Sequence, residues 1–363
     1  MDDEKFRIGR AIAVCFPLKE KHTFKIKNSP TKTIMKSVIK WGMIGCGDVT
    51  EVKSGPAFNK VPDSVLYAVM RRDEAKAKDY ALRHGVPVVY SDALQLINDP
   101  EVNAIYIATP PDSHEAYCLA AIAAGKPVYV EKPMTLNTAS AQKIKQLADE
   151  KNVKLVVAHY RRAQPMFIKI KELIDSNAIG TILHVRLDYR RKSLTPEELA
   201  ESKTAWRVDP LQSGGGLFHD LAPHQLGLMY YFFGEAKIAN GISGNCSGLY
   251  NADDLVTGQI LFDNGIQFSG SWCFNAAPEQ EEDRCEIFGS EGSIAFAVFN
   301  KQEIIIQTAG GKEQINFERL AHVQQPMIEK TVQYFLDRQP NPCTAEEGVQ
   351  VMKMIDAFTT KNL

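Results

Sequence analysis

No two cysteines in this chain are spaced as a redox pair or a zinc knuckle would be. The seven stand singly at positions 15, 46, 118, 246, 273, 285 and 343, which excludes a small disulfide framework and points to a reduced, cytoplasmic protein. No apolar run approaches the roughly 18 residues of a membrane span, so no membrane is expected among the partners. Charge of one sign is not in excess either. Lys plus Arg number 42 against 44 Asp plus Glu, for a formal net charge of -2, and such a balance leaves no nucleic-acid footprint. The clusters Arg71-Arg72 and Arg190-Arg191-Lys192 are too short to act as polybasic tails. Internal repeats and low-complexity tracts are also missing. What remains is 363 residues, 44% hydrophobic, more than a single core usually holds and enough for two domains.

Residues 1–34 read as an extension outside the fold. The apolar stretch Ala11 to Leu18 has charged residues on both sides, and Asp2, Asp3 and Glu4 are out of place in a signal peptide's basic start. A secretory signal is the alternative reading.

From 35 to 160 the pattern alternates. Strands are expected at 38–44, 65–70, 104–108, 127–131 and 154–158, with helices at 49–60, 73–84, 91–98, 113–124 and 138–151. Such alternation predicts a doubly wound parallel sheet covered on both faces. Asp112 and Glu115 are spaced as a capping box for the helix at 113–124, and Gly125 ends it. From 161 to 363 the period changes. Leu183, Val185, Leu187 and Tyr189 alternate with polar residues, and Asp263-Asn264-Gly265 joins two strand-like runs as a hairpin turn. Further strands are expected at 284–288, 293–299, 303–307 and 313–317, and helices at 165–176, 217–232, 325–337 and 345–359. This half predicts a mostly antiparallel sheet, open on one face and with helices on the other.

The most telling run is Val38 to Thr50. An apolar strand leads into Gly45-Cys46-Gly47, and Asp48 and Val49 can open a helix. This arrangement sets a dinucleotide's phosphates on a helix N-terminus, although Thr50 stands where a third glycine or alanine is usual. At the end of the second strand, an NAD site places a carboxylate on the ribose hydroxyls. Here Arg71 takes that place, followed by Arg72. A guanidinium suits a 2′-phosphate, so NADP is favoured; a shift onto Asp73 would restore NAD. Thr109-Pro110-Pro111 ends a later strand where a nicotinamide pocket would be shaped, and His114 lies in the next helical turn.

Glu131-Lys132-Pro133 follows another apolar strand, and Glu131 and Lys132, like His114, are expected among the cofactor contacts. A lysine at that edge lies beside the expected nicotinamide, and partial burial would make its ammonium a usable acid. Further on, Gly214-Gly215-Gly216 frees the backbone to approach a ligand, and Asp220 and His224 share one helical face at i and i+4. The carboxylate could then orient the imidazole, which titrates near neutrality. A zinc site built from His219, Asp220 and His224 is set aside. No cysteine cluster accompanies them, and hydride transfer needs no metal.

With these motifs the chain resembles the Gfo/Idh/MocA oxidoreductases, the glucose–fructose oxidoreductase and inositol dehydrogenase-like proteins, over residues 38–360. The turn Phe288-Gly289-Ser290-Glu291-Gly292-Ser293 resembles one that recurs in the family's sheet. The resemblance implies a Rossmann domain followed by an open-faced sheet that often serves dimerisation, giving a homodimer or homotetramer. It also implies that Lys132 and His224 are catalytic, with Asp220 supporting them or contacting substrate. The family often has an acidic residue three positions after the histidine, and here that position is Gly227. Gly227 and Arg71 both suit an NADP-linked sugar or carbonyl reductase better than an inositol dehydrogenase.

The expected activity is hydride transfer between NADP, or alternatively NAD, and a carbonyl or secondary alcohol of a sugar, a polyol or a related small molecule. Tyr160 and Arg161 at the domain junction, and Trp206 and Arg207 before the glycines, complete the expected substrate pocket with Lys132, Asp220 and His224. Two rivals remain: a redox-neutral, glycosidase-like enzyme that retains its NAD, and an NADP-binding sensor without turnover.

Overall fold

Trp41, Met43 and Ile44 are fully buried. They belong to β1 (Ile39–Ile44), and residues on both faces of that strand are covered, as a central parallel strand requires. The computed structural model describes residues 38–359; the N-terminal segment 1–34 lies outside them. β1 pairs in parallel with β2 (Ser64–Met70) on one side and β4 (Ala104–Ile107) on the other. With β3 (Val88–Tyr90), β5 (Val128–Val130) and β6 (Leu155–Val157) they form a six-stranded parallel sheet in the order β3-β2-β1-β4-β5-β6. Strand order reverses between β1 and β4, and the crevice beyond the carboxyl ends there is where such a sheet takes a ligand.

The second sheet has eight strands: β7 (Ile182–Lys192), β8 (Ala236–Gly244), β9 (Leu255–Phe262), β10 (Gln267–Ala276), β11 (Glu282–Gly289), β12 (Gly292–Phe296), β13 (Glu303–Thr308) and β14 (Gly311–Asn316). Its order is β14-β13-β12-β11-β7-β10-β9-β8, and it is antiparallel except where β7 pairs with β10. Phe268, Trp272 and Phe274 of β10 are buried, while the alternating Ser269, Ser271 and Cys273 are partly exposed. The sheet therefore has one packed face and one polar face. Helix Leu217–Phe233 and the C-terminal helix Ala345–Thr359 pack together, and the latter also meets β8, β9 and helix Thr138–Lys151.

Three local expectations are corrected. Residues 49–60 do not form one helix: they split into Asp48–Val52 and Gly55–Phe58, and Pro56 sits in the first turn of the second. The capping box at Asp112 does not form. A 3-10 turn, Pro111–Ser113, precedes helix His114–Ala123, and no side chain caps it. Strand β3 was not expected, because its three residues are too few to show a period.

Trp272 ties the packed sheet face to the helix above it. Its ring is fully buried, and its indole N–H donates to Oε1 of Gln225 at 2.7 Å. Trp272→Phe would keep most of the apolar volume but leave that acceptor unpaired. A loss of about 1–3 kcal/mol is expected, read as a lower denaturant midpoint.

Candidate active site

The carboxyl ends of the first sheet carry the sequence motifs in turn. After β1, Gly45 adopts φ +95, and a Cβ there would come within 2.9 Å of the Ala108 carbonyl. The turn therefore packs directly against the end of β4. A Cβ on Gly47 would meet nothing within 4 Å, leaving open space above a short helix that begins at Asp48. The N–H groups of Gly45, Gly47 and Thr50 are taken by backbone carbonyls, which leaves the first-turn N–H groups of Asp48 and Val49 as the ones suited to a pyrophosphate. Thr50 closes the turn from beneath, its hydroxyl donating to the Gly47 carbonyl at 2.7 Å.

A cleft of about 380 Å³ extends from these glycines past Arg71, Arg72, Thr109 and Pro110. Arg71 Nη1 donates to the Cys46 carbonyl at 2.9 Å, which fixes the guanidinium at the cleft wall. Asp73 lines the cleft as well, and its Oδ1 accepts from the Lys76 N–H as the N-cap of helix Glu74–His84. The Cys46 thiol is buried and its pKa is pushed up to about 11 by burial, so this residue can meet a cofactor only through its backbone. Val49 is half-buried in the short helix.

Two expected cofactor contacts point into the protein. His114 is fully buried, with its ring nitrogens 3.0 Å from the Pro133 carbonyl and 2.8 Å from that of Thr109. Burial lowers its pKa, and it acts as a brace between two loops of the cleft. The Glu131 carboxylate accepts at Oε1 from Tyr106 and from Gln324, both at 2.6 Å. It anchors the strand end from below while its neighbour Lys132 faces the opposite half.

Lys132 Nζ donates to Asp220 Oδ1 at 2.9 Å and to the Asp220 carbonyl at 2.7 Å. Asp220 Oδ2 accepts from Arg207 Nε at 2.9 Å. The expected Asp220–His224 pairing is thus replaced by a cation–carboxylate–cation triad. Burial pushes the Asp220 pKa up, but Lys132 and Arg207 outweigh it and hold the pKa at about 2. Trp206 backs this group, with the Arg207 guanidinium 4.5 Å over its ring.

His224 lies in the same helix, packed edge-on to Tyr160 at 5.2 Å and to Phe299 at 5.6 Å. Its Nδ1 is buried without a hydrogen-bond partner among the described residues. Burial first, then Lys132, Arg161, His159 and Lys53, put its pKa well below the usual imidazole value, so the ring is neutral at rest. Packing alone requires glycine at positions 215 and 216. A Cβ on Gly215 would sit 2.2 Å from the His219 ring, and one on Gly216 would sit 2.4 Å from the Ala252 Cβ. Among the described residues no group of three His, Cys, Asp or Glu side chains could hold a metal.

A second cavity, of about 350 Å³, is lined by Tyr160 and Arg161 together with Lys53, Gln164 and Phe299. The last three were not read from the sequence. Lys53 reaches the cavity because the first helix breaks beside it, and Gly55-Pro56 was the available signal. Phe299 is held by Asp283, whose carboxylate accepts from the backbone N–H groups of Val298, Phe299 and Asn300; no local pattern marks that clamp. His159 also went unread. It is buried against Gly227, where a Cβ would lie 2.7 Å from its Nδ1. The imidazole thus fills the space beside Gly227.

Comparison with known proteins agrees with this geometry. Residues 39–159 match the oxidoreductase family with an NAD-binding Rossmann fold, and residues 167–295 match the GFO/IDH/MocA C-terminal domain. Oxidoreductase P35 of Formosa agariphila is 48% identical over 324 residues, 89% of this chain and 99% of that protein. A scyllo-inositol 2-dehydrogenase (NAD(+)) of Bacillus subtilis is 25% identical over 285 residues, 76% of this chain and 79% of that one. A levoglucosan dehydrogenase solved with NADH and levoglucosan superposes with a TM-score of 0.79 at 23% identity, covering 89% of this chain and 96% of its own; at that identity the likeness is one of fold.

The triad has a pH signature. A carboxyl pKa held below its unfolded value stabilises the fold above the unfolded pKa, and that stabilisation is lost as pH falls through the folded one. For Asp220, going from an ordinary 3.8 to about 2, it amounts to about 2 kcal/mol. Asp220→Asn should lower stability at neutral pH by about that much and flatten the stability profile between roughly pH 4 and pH 2, as followed by denaturant titration at a series of pH values.

Proposed function

Because the chain belongs to the GFO/IDH/MocA oxidoreductases, we propose that it transfers a hydride between a nicotinamide dinucleotide and a carbonyl or secondary-alcohol carbon of a sugar or polyol. The observation that carries this reading is the Lys132 ammonium at the end of β5, fixed by Asp220 and close enough to His224 to depress its pKa. In the oxidative direction the carbon gives its hydride to the bound NAD(P)+ and its hydroxyl gives a proton to the protein, leaving a carbonyl, NAD(P)H and one proton; reduction is the reverse.

Lys132 holds the substrate oxygen by hydrogen bond and charge, and stabilises the negative charge that grows there. His224, neutral at rest, accepts the hydroxyl proton. Asp220 and Arg207 keep the lysine from swinging away. Tyr160 and Phe299 wall off the imidazole and exclude water. Arg71 and Arg72 at the cleft wall support a 2′-phosphate on the ribose and with it the choice of NADP. The polar face of β7, β10 and β11 is the surface proposed for assembly into a dimer or tetramer. No helix of the described residues is long and apolar enough to cross a membrane, and the six described cysteines are free thiols, which supports a reducing compartment such as the cytoplasm.

Lys132→Ala should lower kcat by about 10²–10⁴-fold while NADPH still binds with nearly wild-type affinity. Full turnover in that variant would remove Lys132 from the chemistry. Titrations followed by nicotinamide fluorescence should show NADPH bound about tenfold more tightly than NADH. Arg71→Asp should reverse that order, and an unchanged ratio would place the 2′-phosphate elsewhere.

A further inference from the structure

The cavity lined by Tyr160 and Phe299, the two rings packed on His224, is unusual for a neutral sugar in its charge. Its lining carries Lys53, Arg161 and Arg319 against one carboxylate, Glu318. Two more cations outside that lining, Lys132 and Arg207, share the carboxylate of Asp220, and Lys132 is near enough to act on Lys53. Glu131 accepts from the neutral Tyr106 and Gln324 and keeps its charge, so the group as a whole sets five cations against three carboxylates. Helix Pro165–Asp175 also starts at this wall with no acidic residue in its first turn, adding the positive end of its dipole.

The donors are incompletely used. Arg161 spends Nη1 on the Val298 carbonyl at 2.6 Å and lies 4.5 Å over the Phe299 ring, while its buried Nε has no partner among the described residues. Lys53 makes no ion pair among them. It keeps its place because its own carbonyl accepts from the Gln324 N–H at 3.2 Å. The half-buried Arg161, with its buried Nε unsatisfied beside other cations, is unfavourable without a counter-charge, and a neutral polyol does not bring one.

We propose that the substrate is a sugar bearing a carboxylate, a hexuronate or sugar acid, whose carboxylate is held by Lys53 and Arg161 while its reacting carbon lies at Lys132 and His224. This rests on the hydride-transfer reading of the same site. A planar guanidinium beside a single mobile ammonium matches a carboxylate. Binding also prepares the base. Lys53, Lys132 and Arg161 all help to depress the His224 pKa, and an anion among them cancels that effect, making the imidazole a stronger proton acceptor only when substrate is present.

The test is calorimetric titration of the NADP-loaded full chain with D-glucuronate, D-glucose and glucose 6-phosphate, followed by turnover of each. D-Glucuronate should bind at least about tenfold more tightly than D-glucose, and less tightly as ionic strength rises. Lys53→Met, at an exposed position where folding is not at stake, should erase about tenfold of that ratio while NADPH binding certifies the fold. Equal binding of glucuronate and glucose would overturn the proposal, as would a ratio unmoved by Lys53→Met. Tighter binding of glucose 6-phosphate would overturn the carboxylate in favour of a phosphate. Tight glucuronate binding without turnover on either nucleotide would keep the carboxylate site and sink the hydride-transfer reading instead; turnover of glucose alone would do the opposite.

Discussion

The carboxylate of Asp220 joins the two halves of this protein at the point where chemistry is expected. Lys132 comes from the end of a parallel strand, Arg207 from a short helix, and Asp220 from the long helix over the second sheet. Without the carboxylate, two cations would face each other in a site with little water, and a buried charge with no partner is among the costliest defects a fold can carry. Everything around the triad follows from that requirement. The long helix must sit where Asp220 reaches Lys132, and this places His224 one turn on, against Tyr160 and Phe299. Glu131, next to the lysine, turns inward to the neutral donors Tyr106 and Gln324, because the ammonium is already taken by Asp220.

A second layer holds those groups still. The Glu131–Gln324 contact reaches Lys53 through the Gln324 backbone, and Asp283 gathers three backbone N–H groups to fix the loop bearing Phe299. These are buried carboxylates with saturated acceptors, a stiff way to position a wall. Among the atoms left unsaturated are Nδ1 of His224 and Nε of Arg161, the two that the proposed chemistry uses.

Much of this was readable from the chain. Glycines after an apolar strand, Lys132 at another strand's end, and the alternation from Leu183 to Tyr189 are local patterns, and local patterns report backbone form and burial. Partner identity is a different matter. Asp220 and His224 share a helical face, yet the carboxylate turns to Lys132 and Arg207, 88 and 13 residues away in sequence. The same holds for His114 and Glu131: their positions were legible, but their direction was set by carbonyls and hydroxyls on other elements. Lys53 was hidden by a helix read as continuous, and β3 by its shortness. Long-range pairing and small irregularities are the parts a period cannot encode.

The imidazole of His159 and the bare α-carbon of Gly227 occupy one space between them, with room for a single side chain. Any β-carbon at 227 collides with the ring unless the ring goes first. The two sites, 68 positions apart, are therefore one unit of inheritance: a lineage can exchange the histidine and the glycine together, or pass through a smaller residue at 159, but cannot begin at 227.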